Sequence, residues 1–465
     1  MKKNVAFKRV LLLALAFLTA CDQGFLDKEP VSDALNNEIN AEPLLTAAYD
    51  GMYDEYYTLD FLVNGDVFAD NAYAGGDNPA NFQIDKFTTT STNGNVQRDW
   101  RYLYTNIKNA NIVLNYVPNM QDPKLTDARR NEILGEAAFL RAYHYFQLVQ
   151  LWGPVPVITT VPNSVTEMFA TKKPVADVYA QIISDLEFAL PKVRTTVPDK
   201  GYVAKGTVLA LLCKVYATKP SPDWTKVNQY ASEVAALGYD LVPNYATLFD
   251  TTGKNSVEAI WETQNDGSKH YNWVTGMNTP FMWGDWKKFN IPSHTLVKAF
   301  DDAGDTVRKN ASLKHVTTSW NDDYWAKPVP VIMKYPDPNG KSNTMRLRYA
   351  DILLLRAEAL AELGQLDASS GAQFYLNKVR TRAGLPNTTA TTKADLLTAI
   401  EKERQLELAF EGHRWFDLVR RGTAVTTMNN AKDGNGASLG YNVVASKLLF
   451  PLPQDEIDRN PNLNN

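Results

Sequence analysis

The densest set of reactive side chains in this 465-residue chain is Glu403, Glu407 and Glu411, spaced at i, i+4 and i+8 beside Arg404, Arg414, Arg420 and Arg421. Residues four apart share one helix face, so two of these carboxylates could serve as a glycosidase pair. A retaining pair needs roughly 5–5.5 Å between carboxyl groups and a raised pKa on one of them. Carboxylates surrounded by arginines shift the other way. The stripe Leu396, Leu397 and Ile400 also turns the polar residues partly inward, where the planar guanidinium fork satisfies buried carboxylates well. The pattern therefore predicts a cross-helix ion network. The histidines, His144, His270, His294, His315 and His413, show no paired spacing of the H-E-x-x-H kind, and His144 is expected in a core or interface. Asp66, Asp70 and Asp77 could offer oxygen to calcium, but no EF-hand spacing supports that ion. With no glycine-rich phosphate loop after a strand and no G-x-S-x-G elbow, the sequence argues for no enzyme and no cofactor.

Aromatic side chains give the stronger signal. Six of the ten tryptophans (Trp261, Trp273, Trp283, Trp286, Trp320 and Trp325) fall in the 65 residues from 261 to 325, where uniform scatter would place about 1.4. An indole on a loop is normally buried or binding something. Sugar rings suit it, because their C–H faces stack on aromatic planes while their hydroxyls seek amide and carboxyl partners. Asn272, Asn278, Asp285, Asn321, Asp322 and Asp323 lie close by in sequence for that role. Trp261 sits in an alternating run and is expected to pack inward, as are Trp100 and Trp152 on helices. Trp283, Trp286, Trp320 and Trp325, flanked by polar and turn residues, are expected to be exposed. Tyr73, between Asn71 and Gly75-Gly76, is a further candidate. The predicted glycan contacts are Trp273, Trp283, Trp286, Trp320, Tyr324, Trp325, Tyr73 and Asn71.

The elements that must position these residues are mostly helical. Phe139, Ala142, Tyr143, Phe146 and Val149 make one stripe, stopped at Trp152-Gly153-Pro154. Residues 174–191, 203–218 and 224–237 read as further helices. Ile352, Leu355, Ala359 and Leu363 are closed by Gly364; Ala372, Leu376, Val379 and Ala383 are closed by Gly384 with Pro386 beyond. A capping box at Thr392 opens a helix running to about Phe410. Such pairs suggest tetratricopeptide-like helical hairpins. Only Val257 to Glu262 reads as a strand. The ranges are a leader (1–20), a polar tether (21–40), an N-terminal helical region (41–237), an irregular aromatic-rich insertion (238–345) and a C-terminal helical region (346–465), with 21–465 as one compact unit. A second irregular stretch, Asn64 to Asn95, is rich in Gly, Asn, Asp and Thr. Long loops inside a compact unit usually carry function, so the site is sought in these two stretches.

Residues 1–20 join a basic start (Lys2, Lys3, Lys8, Arg9) to a short apolar run, Val10 to Leu18. That run is too short for a spanning helix and reads as a signal peptide. It ends Leu18-Thr19-Ala20-Cys21, like the lipobox of bacterial lipoproteins, which assigns lipid attachment to Cys21. Cleavage there moves the formal charge from −4 to −8, and neither value gives a basic footprint for nucleic acid. Two cysteines cannot build a disulfide framework. Cys213, inside Val208 to Cys213, is expected as a buried apolar residue.

Several segments in order resemble the SusD/RagB family of nutrient-capturing surface lipoproteins of Bacteroidota. They are Trp100 to Asn111, Glu136 to Tyr143 followed by Leu151 to Pro156, Arg348 to Ala359, Asn377 to Arg380 with Arg382 to Pro386, Glu403-Arg404 with Glu407 to Arg414 and Phe416 to Leu418, and Pro451 to Pro453 with Glu456-Ile457 and Asn460 to Leu463. The resemblance covers essentially the whole chain after Cys21. It implies a mainly α fold, a scaffold of four tetratricopeptide-like hairpins with irregular loop insertions bearing the ligand site and little strand. It also implies a non-catalytic glycan binder, lipid-anchored at the outer membrane and facing outward, that delivers oligo- or polysaccharide to a SusC-like TonB-dependent transporter. RagB-like members imply peptides or other oligomers as the alternative cargo.

Overall fold

The structure is a computed structural model and describes residues 40–273, 288–318 and 322–464. The leader, Cys21, the tether up to residue 39, and Trp283, Trp286 and Trp320 with Asn278, Asp285 and Asn321 lie outside the described residues.

Sixteen α-helices form the described part of the chain. In the N-terminal half these include α1 (Ala41–Asp50), α2 (Gly94–Tyr116), α3 (Asp127–Trp152), α4 (Val175–Ala189), α5 (Lys205–Thr218) and α6 (Trp224–Ala235). In the C-terminal half they include α7 (Tyr349–Glu362), α8 (Ala372–Arg382), α9 (Lys393–Glu407) and α10 (Arg414–Arg420). Successive helices pack as hairpins: α2 on α3, α3 on α4, α5 on α6, α7 on α8 and on α9. Local chemistry fixes the boundaries. Asn93 caps α2 through bonds from the Asn95 and Val96 amides, and Thr126 caps α3 through the Arg129 amide. Helix α3 ends where Gly153 turns to φ 72°, a conformation that costs a non-glycine residue. Thr392 accepts from the Asp395 amide at the start of α9, as its capping box predicts.

The core follows the predicted stripes. Phe139, Ala142, Tyr143, Phe146 and Val149 are all buried, and Trp261 meets Phe139 and Tyr143 edge-on. Trp100 and Trp152 pack as a T-shaped pair 5.4 Å apart, and Cys213 is buried with its thiol pushed well up by desolvation. His144 is buried against the Tyr57 hydroxyl (2.7 Å), and burial lowers its pKa to about 3, so the ring is neutral.

The strand expectation is corrected. Among the described residues there are eight strands, not one: β1 (Ala72–Tyr73), β2 (Val155–Pro156), β3 (Lys172–Lys173), β4 (Ala259–Thr263), β5 (Ile291–Pro292), β6 (Leu313–Val316), β7 (Val329–Ile332) and β8 (Thr344–Arg348). They pair antiparallel as β1–β5, β2–β3, β4–β8 and β6–β7. Strands of two to five residues leave little periodicity in a sequence, and β4 and β8 are buried at every position, which erases alternation. Two π-helical turns, Tyr56–Asp60 and Val63–Val67, lead into the first irregular stretch. There a Cβ on Gly65 would fall 2.3 Å from the Gly412 backbone, so only glycine lets this stretch lie flat on the C-terminal helices.

The Glu403–Glu407–Glu411 motif is a buried ionic layer. Arg348, at the end of β8, grips Glu411 with two bonds of 2.7 and 2.8 Å and donates to Glu407 at 2.6 Å and Glu258 at 2.8 Å. Arg308 reaches Glu407 (2.9 Å) and Glu403 (2.7 Å), Arg382 reaches Glu407 and Glu258, and Lys334 reaches Glu411. Burial alone would raise the Glu407 pKa. Arg382, Arg348 and Arg308 outweigh it and hold the carboxyl well below its usual range.

Candidate functional site

The two irregular stretches meet. Strand β1 pairs with β5, placing Tyr73 opposite Ile291, and the Ser293 amide bonds to the Asn71 carbonyl at 3.0 Å. The Tyr73 ring stacks on Tyr324 with centroids 3.9 Å apart and an interplanar angle of 23°. Its hydroxyl donates to Asp322 Oδ1 at 3.1 Å. A third wall comes from the C-terminal region: the Tyr441 hydroxyl donates to Asp85 Oδ1 (3.3 Å), whose Oδ2 accepts from the Ala74 amide (3.3 Å). Gly434 lies against the ring of His294, which bonds to the Tyr324 carbonyl and so ties this wall to the second stretch.

Together these segments enclose an open cavity of about 630 Å³. Tyr73, Tyr324, Tyr441 and Phe82 supply ring surface; Asp85, Asp322, Asn442, Lys86, Thr88 and Lys447 supply polar groups. The volume suits a ligand of a few sugar rings in size, within the roughly 300–1,000 Å³ typical of small-molecule sites. Burial pushes the Asp85 pKa up to about 7, against the bonds from Ala74 and Tyr441. Asp322 is also raised by burial, and the Tyr73 and Tyr441 hydroxyls are held protonated well above their usual range by burial next to Asp322 and Asp85 respectively. Near neutral pH the cavity thus offers both donors and acceptors to hydroxyl groups.

Of the predicted contacts, Tyr73 and Tyr324 line this cavity. Asn71 does not. It is 1% exposed, its amide donates to Asp66 (3.0 Å) and its oxygen accepts from Gln405 (3.2 Å), so it serves the scaffold. Asp66 and Asp70 are likewise committed, Asp70 to Arg414 at 2.6 Å, which leaves no calcium cage there. Trp325 is half-buried, against the expectation of exposure. Its indole donates to the Pro292 carbonyl (2.9 Å) and covers His294 with centroids 3.5 Å apart, so it backs the Tyr73–Tyr324 stack. Trp273 is 50% exposed beside Tyr271 and lies apart from the cavity lining. Sequence reasoning missed Tyr441, Asp85, Asn442 and Lys447. The signal was present: residues 431–442 (AKDGNGASLGYN) share the Gly- and Asn-rich composition of the first irregular stretch.

Comparison with known proteins gives the family. Residues 200–465 match the model of the SusD family, and residues 24–217 match a model described as starch-binding, associating with outer membrane. The chain belongs to the SusD family. It is 27% identical to SusD-like protein P2 of Formosa agariphila over 98% of both chains. Among solved structures, a SusD superfamily protein from Bacteroides vulgatus superposes with a TM-score of 0.80 at 23% identity, covering 91% of this chain and 97% of that one. A laminarin-binding SusD-like protein superposes with a TM-score of 0.77 at 25% identity, covering 91% and 98%.

Proposed function

We propose that this protein is a non-catalytic glycan-binding lipoprotein whose ligand lies in the Tyr73–Tyr324–Tyr441 cavity. The observation that carries the reading is the cavity itself: aromatic faces beside carboxyl, amide and ammonium groups, in the arrangement that a polyhydroxylated ring requires. The laminarin-binding relative and the starch-binding family description support the same ligand class. The carboxylates spaced for a hydrolytic pair are neutralised by guanidinium groups in the ionic layer, and Glu407 and Glu411 are held low, opposite to what a general acid needs. In this reading Cys21 carries the lipid that holds the protein on the outer membrane, facing outward, and a SusC-like TonB-dependent transporter receives the bound glycan. Titration calorimetry of the purified protein against a polysaccharide panel tests the binding. A glycan that binds wild type and loses affinity on Tyr324→Ala or Tyr441→Ala is expected; no binding to any member would overturn the proposal.

A further inference from the structure

Buried arginines in this protein have carboxylate partners within 3 Å: Arg141 with Asp185, Arg308 with Asp305, Arg348 with Glu407, Arg404 with Asp351 and Arg414 with Asp70. Arg346 does not. It is 5% exposed, and among the described residues no carboxylate pairs with it. Its Nε donates to Thr263 Oγ1 (2.8 Å) and one terminal nitrogen, Nη2, to the Tyr57 carbonyl (2.7 Å). The guanidinium lies against the rings of Phe61 and Tyr57, and among the described residues Nη1 has no hydrogen-bond partner. Buried charges are normally paired, and breaking such a pair is strongly destabilising. Rings recover part of that cost through their quadrupoles, but they offer no acceptor to Nη1.

Arg346 lines a small, partly enclosed cavity of about 60 Å³ together with Phe61, Tyr143, Gln147, Gln150, Lys214 and His413. The other charges around it are already matched. Lys214 and Arg404 share Asp351, Arg404 and Arg420 share Asp417, and Arg420 also holds Glu358. Glu411, on the same wall, is taken by Arg348 and Lys334. His413 contributes no charge near neutral pH, because burial, then Lys214, lowers its pKa to about 4. The unmatched positive charge is therefore that of Arg346; of the two glutamines on the wall, Gln150 spends its amide on the Phe146 carbonyl and Gln147 accepts from the Tyr56 hydroxyl. One probe-sized water needs on the order of 10–15 Å³, so the cavity holds a handful of waters or one compact anion, and no sugar ring.

We propose that this cavity is a binding site for a compact monovalent anion, the size of chloride or of a one- or two-carbon carboxylate, which neutralises Arg346. The site is independent of glycan capture. The test uses the protein lacking only its leader. Its melting temperature is followed while chloride, or separately acetate, replaces gluconate at constant ionic strength; gluconate is too large for the cavity. A bound anion at 100 times its Kd should raise the melting temperature by about 3 °C for a chain of this size. Arg346→Met should abolish the response, and the arm that responds identifies halide or carboxylate. Bromide soaked into wild-type crystals should give an anomalous peak within hydrogen-bonding distance of Nη1, a readout that stands even if the variant fails to fold. A melting temperature indifferent to both anions, an equal response in Arg346→Met, or water alone in the cavity would overturn the proposal.

Discussion

Replacing Glu407 by glutamine decides whether the charged motif is scaffold or chemistry. Glu407 is fully buried and accepts from Arg348 (2.6 Å), Arg308 (2.9 Å) and Arg382. Glutamine keeps the shape, removes the charge and leaves three guanidinium groups short of a counter-charge. Losing one partner of a buried pair costs about 3–5 kcal/mol. Unfolding entropy for 465 residues is roughly 1 kcal/mol per kelvin, so the expected fall in melting temperature is about 3–5 °C. Scanning calorimetry at neutral pH measures it, and calorimetric titration at 25 °C should find glycan affinity unchanged. The pH dependence carries a sign. Glu407 has a folded pKa below its ordinary value, so its contribution is full above the ordinary carboxylate range and fades as pH falls through that range and below. The gap between wild type and variant should therefore narrow on acidification. A variant that melts with wild type at neutral pH, or a gap that widens in acid, would refute the ionic-layer reasoning. A glycan-hydrolysing activity lost in the variant would refute the binding assignment.

Tyr441→Ala removes one face of the cavity and the bond to Asp85; glycan affinity should drop about tenfold, read by calorimetry. Asp85 has a folded pKa near 7 against an ordinary 3.8, so its penalty is absent in acid, grows as pH rises above the ordinary value and is complete once pH passes 7. Asp85→Asn should consequently gain stability over wild type by roughly 4 kcal/mol between pH 4 and pH 8, measured by denaturant melts at each pH. Trp325→Phe forfeits the bond to the Pro292 carbonyl and should cost about 1 kcal/mol in the same melts. Cys21→Ala should abolish labelling by radioactive palmitate and release the protein from membranes.

Much of the scaffold was legible because helices of ten or more residues leave a full stripe. The run from Phe139 to Val149, the glycines at 153, 364 and 384, and the box at Thr392 each state one physical constraint in one residue or one spacing. The ladders were not legible, because a pair such as Tyr73 opposite Ile291 is defined across more than 200 residues and by two positions only. The site was half legible. Composition pointed to both irregular stretches, and Tyr73 and Tyr324 do meet. Asn71 and Trp325 misled because polarity and flanking turns describe a loop, not the direction in which each side chain leaves it. Asp85 was passed over because the irregular stretch was searched for rings and not for carboxylates, and Tyr441 because residues 431–442 fall within the C-terminal region read as helical scaffold.

The candidate cavity is walled by three stretches of chain that meet only in space. The Tyr441 ring packs edge-on against Phe87 and stands outside the Tyr73–Tyr324 stack, and the stretch after Asn64 is pinned where Gly65 crosses Gly412. Such a construction lets ligand preference drift wall by wall while the frame, locked by its internal charges, goes unaltered. Grafting a single wall from one relative onto another is then a direct route to a new sugar preference.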